Sequence, residues 1–259
     1  MSQLFPAFAD EVRFRLDELD RSAASGGLDP AIDVLTVSLG RGGVIHAFGT
    51  GHSEAFAMEI AGRAGGFIPT HQIALRDLVL LGSRGLAEMG RPEFERDHTV
   101  ADELFDLYDI REEDVFIIAS NSGANGSTVG LALRAQAEGL LVIAVTSLAH
   151  SRAVESKHPS GRRLFEVADV VIDNLAPFGD ATLDIDAGLR AGAVSSITAA
   201  YIAQQLTLGT ADRLRSAGAL PPMYISANIP GGDEHNSGLQ DRFGARILPY
   251  AHLDERATS

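Results

Sequence analysis

Four short apolar segments recur along the chain, separated by stretches with helical character. They read GGVIHAF (42–48), DVFIIAS (114–120), LLVIAVTS (140–147) and ADVVIDN (168–174). Strands that are apolar at almost every position, rather than at alternate positions, are typical of a parallel sheet covered by helices on both faces. The sequence therefore predicts an α/β fold, a three-layer α/β/α sandwich built around one parallel sheet.

Helical patterns occupy most of the remaining chain. In the first predicted helix, apolar residues such as Phe8, Val12 and Leu16 fall on one face. Asp29 before Pro30 is a favourable start for the second, because proline suits the first helical position. The predicted helices span 6–24, 29–39, 53–64, 98–108, 127–138 and 187–217.

Three segments lack a clear helical or strand pattern. Residues 77–82 are predicted as a short strand or an apolar loop. Residues 86–99 are polar and interrupted by proline, and we expect them to form a flap. The segment after residue 217 is predicted as a loop-like tail.

Composition excludes several classes of function. The net charge of −14 argues against nucleic acid or an anionic membrane as a partner, because both require a basic face. Cysteine is absent, which removes disulfides and thiolate chemistry and fits a cytoplasmic location. We find no signal-peptide segment and no apolar run long enough to span a membrane.

The single lysine, Lys157, lies in the polar stretch ESKHPSG. A P-loop nucleotidase needs a lysine directly after its glycines, and a Schiff-base enzyme needs a buried lysine. Lys157 suits neither role, so the sequence argues against both classes.

Two polar loops follow the first two strong strands, where a helix then begins. In open α/β sheets this end of the strands binds ligands, and the amides at the start of a helix attract anions. Both loops are therefore predicted to bind a phosphate group, although ordinary helix caps favour the same residue types. The loops are GTGHS (49–53) and SNSGANGST (120–128), with candidate ligand contacts at Thr50, Gly51, His52, Ser53, Ser120, Asn121, Ser122, Asn125, Ser127 and Thr128.

The first loop is not a dinucleotide-binding fingerprint. Glu54 occupies the position at which the GxGxxG pattern requires its last glycine, so the sequence gives little support for NAD. The histidines and acidic residues form no metal-binding pattern such as HExxH. We predict no metal and no cofactor.

The segments FGTGHSEAFAMEIAGRAGG and DVFIIASNSGANGST resemble the SIS (sugar isomerase) domain, over about residues 30–210. Phosphoheptose isomerase and N-acetylmuramic acid 6-phosphate etherase are members of that family. The motifs PFGDATLDI and NIPGGDEHN look like those of its stand-alone, sugar isomerase-like subgroup. The resemblance implies a flavodoxin-like sheet, a homodimer and a phosphorylated sugar as ligand, with Ser53 and the hydroxyls of 120–128 holding the phosphate.

On this basis the chain is divided into three parts that form a single structural unit. An N-terminal helical hairpin covers 1–40, the SIS domain covers 41–217, and a C-terminal tail that contributes to the site covers 218–259. The chain departs from the family at one position. In the isomerases and the etherase a glutamate lies ten residues after the loop serine, whereas Arg63 occupies that place here.

Glu59 and His235 are the predicted proton-transfer residues. Glu59 lies six residues after Ser53, roughly 9 Å along the helix, which is about the length of a sugar phosphate. The alternative role for Glu59 is an ion pair with Arg63, four residues on. His235 lies in GGDEHN, in a tail able to fold over a cleft of the same or a neighbouring subunit. The alternative is an ordinary surface histidine.

Two further acidic residues are candidate sugar contacts. Glu54 lies in the first turn of its helix, where the helix dipole alone would also favour it. Asp180, in PFGDA, could either orient a sugar hydroxyl or cap the next helix.

These features predict an enzyme that removes the C2 proton of an (N-acetyl)amino-sugar 6-phosphate such as N-acetylglucosamine 6-phosphate. Elimination of the C3 oxygen, a lyase or dehydratase reaction, is narrowly preferred. Aldose–ketose isomerisation is the close alternative. A non-catalytic sugar-phosphate sensor is the third hypothesis.

Overall fold

The computed structural model describes residues 3–89, 91, 93–248 and 250. The end of the predicted tail (251–259), and single residues of the predicted hairpin, flap and tail, therefore lie outside the described part. At the centre is a five-stranded parallel sheet in the order β2-β1-β3-β4-β5. Its strands are β1 (Ile45–Gly49), β2 (Thr70–Ile73), β3 (Val115–Ala119), β4 (Leu141–Thr146) and β5 (Val170–Asp173).

Helices cover both faces of this sheet. One layer holds α1 (Leu4–Ala24), α2 (Asp29–Gly40), α3 (Glu54–Ile60) and α10 (Ser195–Ser216). The other holds α4 (Asp77–Leu80), α6 (Val100–Phe105), α7 (Gly126–Ala137) and α9 (Leu164–Val167). The remaining elements are α5 (Leu86–Met89), α8 (Leu148–Ser151), α11 (Gly232–Gln240), the hairpin β6–β7 (Ala181–Asp186 and Leu189–Ala193) and the 3-10 turns Gly51–Ser53, Phe94–Arg96 and Gly244–Arg246.

The alternation of side chains along β3 shows how the sheet divides the core. Ile117 packs in the cluster beneath α2, α3 and α10, whereas Phe116 and Ile118 pack in the cluster beneath α6 and α7. All five residues of β3 are buried. The predicted α/β sandwich with a parallel sheet is therefore confirmed, and its strand order is that of flavodoxin-like proteins.

The structure differs from the sequence-based expectations in several segments. Residues 77–80 form the short helix α4, where a strand or loop was expected. The sequence analysis missed β2 (THQI), because an edge strand carrying His71 and Gln72 lacks the apolar run of the other strands. The tail is not wholly loop-like, because α11 lies within it.

The stretch 187–217 is only partly helical. It begins within the β6–β7 hairpin, and α10 starts at Ser195. Ala187 and Gly188, the two turn residues, both have positive φ (49° and 82°), as a type I′ hairpin turn requires. The usual hairpin turns carry Asn-Gly or Asp-Gly, so Ala-Gly in an alanine-rich stretch gave no turn signal.

The N-terminal helices share the main core. Leu19 of α1 and Leu35 of α2 are buried in the same apolar cluster as Ile202 of α10 and Ile45 of β1. The division of the chain at residues 40 and 217 remains a prediction. None of the described helices has both the length and the apolar character needed to cross a membrane.

A buried carboxylate joins the start of the sheet to the C-terminal segment. Asp114, just before β3, accepts hydrogen bonds from the Val44 amide (2.8 Å), the Arg246 guanidinium (2.6 and 2.8 Å) and His46 Nε2 (3.0 Å). Burial opposes ionisation of this group. The hydrogen bonds that Asp114 accepts nevertheless hold its pKa below the usual range. Among them, the bond from His46 lowers the pKa most.

Asp114→Asn is expected to lower the free energy of unfolding by about 3–5 kcal/mol, because it leaves the buried Arg246 guanidinium without a counter-charge. Urea unfolding followed by circular dichroism would measure the change. Asp102→Asn is the matched control, since its carboxylate is mostly exposed and lies 3.4 Å from Arg134 Nε. The control should change stability by less than about 0.5 kcal/mol. Equal effects of the two substitutions would contradict the structural role of Asp114.

Candidate functional site

The candidate site lies where the strand order of the sheet reverses. β1 has β2 on one side and β3 on the other, and the chain leaves β1 and β3 toward opposite edges. Gly49 and Ala119, the last residues of these strands, are direct partners in the register. The two predicted ligand loops therefore start side by side, at the position where open α/β sheets bind ligands.

The first loop depends on the absence of a side chain at Gly49. A Cβ atom there would lie 2.3 Å from the Ser53 carbonyl oxygen, so only glycine permits the chain to fold back so closely. Gly51 has a φ of +56°, in the left-handed region, and the Ser53 amide donates to the Thr50 carbonyl (3.1 Å). Within the described structure the Ser53 hydroxyl has no hydrogen bond, and it lies at the start of α3.

The second loop is held by its own hydroxyls. Ser120 Oγ accepts from the Gly123 amide (3.1 Å), and Ser122 Oγ accepts more weakly from the Ala124 amide (3.4 Å). Each hydroxyl therefore keeps its hydrogen for donation to a ligand. Asn125 precedes α7, and its Oδ1 atom accepts from Lys157 Nζ (3.3 Å), so the single lysine contacts the rim of this loop.

A narrow cavity of about 10 Å³, room for about one water molecule, lies between the two loops. Its apolar floor comes from α3, β3, β4 and α10. Asn174 Nδ2 donates to Asn121 Oδ1 (3.2 Å), which links the end of β5 to the second loop. The described side chains that supply its polar wall are those of His52, Ser53, Ser120, Asn121, Asn174, Ser195 and Ser196.

The sequence analysis missed three of these residues. Asn174 directly follows the strand ADVVID, so a polar residue at the end of a predicted strand was a usable signal. Ser195 and Ser196 begin α10, but the long alanine-rich stretch was treated as one helix and concealed its start. Recognition of the hairpin before α10 would have placed both serines at a helix N-terminus.

Of the predicted contacts in the second loop, Ser120 and Asn121 line the cavity, whereas Ser122, Asn125, Ser127 and Thr128 do not. Ser127 is buried and its hydroxyl donates to the Glu95 carbonyl (2.6 Å). A Cβ atom at Gly126 would lie 2.1 Å from the Arg96 carbonyl oxygen, so the 3-10 turn of residues 94–96 lies directly against the start of α7. Thr128 is completely buried, and its hydroxyl has no hydrogen-bond partner in the described structure. The 3-10 turn of residues 94–96 therefore covers the start of α7, which was predicted to contact the phosphate.

The predicted proton-transfer residues also lie outside the cavity. Glu59 forms an ion pair with Arg63 and accepts from Gln204 Nε2 (2.6 Å), which corresponds to the alternative role considered for it. His235 is part of α11, and its Nε2 atom lies 2.9 Å from the Met223 carbonyl. The structure of a single chain thus brings neither residue to the two loops.

The two candidate sugar contacts have structural partners. Glu54 pairs with Arg76 and accepts from Gln72 Nε2 (2.9 Å). Asp180 caps the start of α10, because its carboxylate accepts from the Val194 and Ser195 amides (3.1 and 2.8 Å) and from the Ser195 hydroxyl (2.7 Å). The helix-cap interpretation of Asp180 therefore matches the structure.

His52 can transfer a proton at the cavity, where Glu59 and His235 are absent. Among the described side chains that line the cavity it is the one titratable group. It is exposed at the mouth, beside Ser53, and the described residues provide its imidazole with no hydrogen-bond partner. In the described part of the chain no group of three histidine, aspartate or glutamate side chains could hold a metal ion.

Comparison with known proteins agrees with this geometry. The family model described as "SIS domain" matches residues 7–147, more than half of the chain. UPF0309 protein lmo0025 of Listeria monocytogenes is 34% identical over 243 residues, which cover 93% of this chain and 97% of that protein. A UPF0309 protein of Geobacillus thermodenitrificans is 36% identical over 221 residues, covering 85% and 87% of the two chains.

Among solved structures, the protein c3406 of E. coli CFT073 is similar, with a TM-score of 0.51 and 18% sequence identity. The match covers 83% of this chain and 94% of that one, and at this identity it demonstrates a shared fold. The resemblance inferred from the two loops is thereby confirmed. This chain belongs to the SIS domain family.

Proposed function

We propose that this protein binds a phosphorylated sugar at the carboxyl ends of β1 and β3, over the mouth of the narrow cavity between the two loops, and isomerises it between aldose and ketose. The observation that carries the proposal is the composition of the cavity wall. Hydroxyl groups with donatable hydrogens lie beside one titratable side chain, His52. The family to which the chain belongs supports the sugar-phosphate class.

The phosphate is assigned to the hydroxyls of Ser53 and Ser120 and to the amides of the first loop. No lysine, arginine or carboxylate is among the described residues lining the cavity. An anion bound there is held by fixed dipoles, and no carboxylate on the wall repels it. This arrangement suits a protein whose overall charge is −14.

His52 is assigned the proton transfer. Its imidazole takes the C2 proton, the C–H electron pair forms the C1=C2 bond, and the C1=O π pair moves onto O1 to give an enediolate. The O2 hydroxyl proton then passes to the adjacent O1, O2 forms the ketose carbonyl, and the C1=C2 pair takes the proton back from the imidazolium at C1. One imidazole suffices for the carbon-bound proton because C1 and C2 are adjacent on one face of the enediolate.

Elimination, the first preference from the sequence, ranks second. Loss of the C3 oxygen requires a group that protonates the departing oxygen in addition to the base. Glu59 and His235 were the candidates for these roles, and both have other partners in this chain. Sensing without catalysis is the remaining alternative and is decided by the turnover experiment below.

We further propose a homodimer and a cytoplasmic location. Large apolar side chains are exposed in the layer that carries α1 and α10, where Phe5, Phe14 and Leu208 are 75%, 58% and 67% exposed. Such side chains are suited to burial against a second copy. The cysteine-free composition supports the cytoplasm, which cell fractionation would test.

Sedimentation equilibrium is expected to give the mass of two chains for the native protein and of one chain for Leu208→Glu. Burial of an unpaired carboxylate in an apolar contact is unfavourable. Leu220→Glu is the control, because this side chain is 93% exposed on the segment after α10. A native protein that sediments as one chain would contradict the dimer.

Replacement of either cavity serine should weaken binding of glucosamine 6-phosphate. For Ser53→Ala and Ser120→Ala we expect about 10- to 100-fold weaker affinity in calorimetric titrations, because each removes a hydrogen bond to a charged group. Ser127→Ala is the matched control from the same loop, since its hydroxyl already bonds to the Glu95 carbonyl. Loss of affinity in the control alone would place the phosphate at the start of α7.

Turnover should depend on His52 and not on Glu59. The panel is N-acetylglucosamine 6-phosphate, glucosamine 6-phosphate and sedoheptulose 7-phosphate. Sedoheptulose 7-phosphate alone among them carries oxygen on both C1 and C2, and from it we expect an aldose of unchanged mass. His52→Asn should lower kcat by about 10²–10⁴-fold. Glu59→Gln should retain kcat, because its carboxylate is held by Arg63 and Gln204.

Each alternative gives a different result. Loss of water from N-acetylglucosamine 6-phosphate would establish elimination. Tight binding of the panel without any product would establish a sensor. Full activity of His52→Asn with an inactive Glu59→Gln would return the base to Glu59 and overturn the assignment to His52.

A further inference from the structure

We propose that Asn174 is a positioning residue of the candidate site, which turns the side-chain amide of Asn121 so that its N–H groups, and not its oxygen, are presented to the ligand. The inference rests on the proposed function, because the ligand concerned is the phosphorylated sugar. Both residues line the narrow cavity. Asn174 is only 3% exposed, so its effect on a ligand at the mouth is exerted through Asn121.

The orientation of the Asn174 side chain is fixed by a backbone amide. A backbone N–H group can only donate, and the Ala176 amide lies 3.0 Å from one end of the Asn174 side chain. That end must therefore be the oxygen, Oδ1. The other end, which points to the second loop, is then the nitrogen, Nδ2.

The same reasoning extends to Asn121. Asn174 Nδ2 can only donate, and it lies 3.2 Å from one end of the Asn121 side chain, so that end must be the acceptor Oδ1. The Nδ2 group of Asn121 is thereby turned away from Asn174. No described residue accepts a hydrogen bond from it, and the atom is open to solvent rather than buried. Asn121 therefore keeps both of its N–H donors free.

The turn that carries Asn174 is held from two sides. Leu175 has a φ of +60°, in the left-handed region, which for a residue with a side chain persists only where the surroundings hold it. The buried Arg15 of α1 donates through Nε to the Leu175 carbonyl (3.0 Å). Ser147 Oγ donates to the Ala176 carbonyl (2.6 Å). The backbone that sets the Asn174 amide is thus fixed before a ligand binds.

The observed orientation of Asn121 suits an anionic ligand. Ionised phosphate oxygens and the oxygen of an enediolate accept hydrogen bonds, and bonds to charged groups are stronger than those between neutral groups. With Nδ2 free, Asn121 adds N–H donors to the hydroxyls of Ser53 and Ser120. The reversed amide would instead present a carbonyl oxygen to the anion. The bond from Asn174 therefore selects the favourable one of two orientations.

Neutron diffraction from crystals of the ligand-free protein tests the orientation, because it locates the amide deuterons directly. In the native protein we expect the Asn121 deuterons on the atom that is farther from Asn174. In Asn174→Asp the carboxylate still accepts from Ala176 but cannot donate, so the Asn121 amide should turn over and donate to it. Deuterons on the nearer atom of Asn121 in the native protein would overturn the proposal.

Asn174→Ser tests the consequence for binding. A serine hydroxyl can accept from the amide two residues later, as in the native turn, but it is too short to reach Asn121. We expect about three- to tenfold weaker affinity for glucosamine 6-phosphate in calorimetric titrations, the effect of one neutral hydrogen bond. In an Asn121→Ala background the same substitution should change the affinity by less than about twofold, because the group that it orients is absent.

The comparison of the two backgrounds separates positioning from a general structural role. If Asn174→Ser weakens binding equally with and without the Asn121 side chain, Asn174 acts on the turn alone and the proposal is wrong. Native affinity of Asn174→Ser would also overturn it. A native protein that binds none of the three sugar phosphates would refute the proposed function and, with it, the role of Asn121 toward that ligand. The diffraction result distinguishes this outcome from a wrongly assigned amide.

Discussion

The buried carboxylate of Asp114 is the interaction on which the rest of the molecule depends. It binds the Val44 amide before β1 and His46 within β1, and it precedes β3 directly. These bonds set Ile45 beside Val115 at one end of the strand pair. The two strands have equal length, so Gly49 then lies beside Ala119 at the other end. With this register, the two predicted ligand loops start at the same level, at the end of the sheet opposite Asp114.

Much of this arrangement could be predicted from the sequence. Strands β1, β3, β4 and β5 are apolar at nearly every position, which is typical of a parallel sheet covered by helices on both faces. The two polar loops were found because glycine, serine and asparagine follow two of those strands. Family membership, inferred from the same loops, is confirmed. These signals are local, and each can be read within about ten residues.

The remaining features depend on contacts that are distant along the chain. β2 was missed because its buried residues include His71, whose partner His46 is 25 residues earlier. Ser127 looked like a ligand contact, but its hydroxyl bonds to the Glu95 carbonyl 32 residues earlier. Glu59 looked like a base, but Gln204 bonds to it from α10. In each case a contact between residues far apart in the sequence determines the environment of the side chain. A short stretch of sequence does not contain both partners.

The 3-10 turn of residues 94–96 lies against Gly126 and Ser127, and Phe94 anchors it in the core beneath α6 and α7. The connection from β2 to α6 also lines a separate cavity of about 380 Å³, whose other wall includes Gly49, Thr50 and Gly51 of the first loop. Under the proposed function, changes in this connection would reshape the space beside the first loop while the glycine and serine loops stay untouched. Substrate range and anion binding would then be encoded in separate stretches of chain, so that one can diversify without the other.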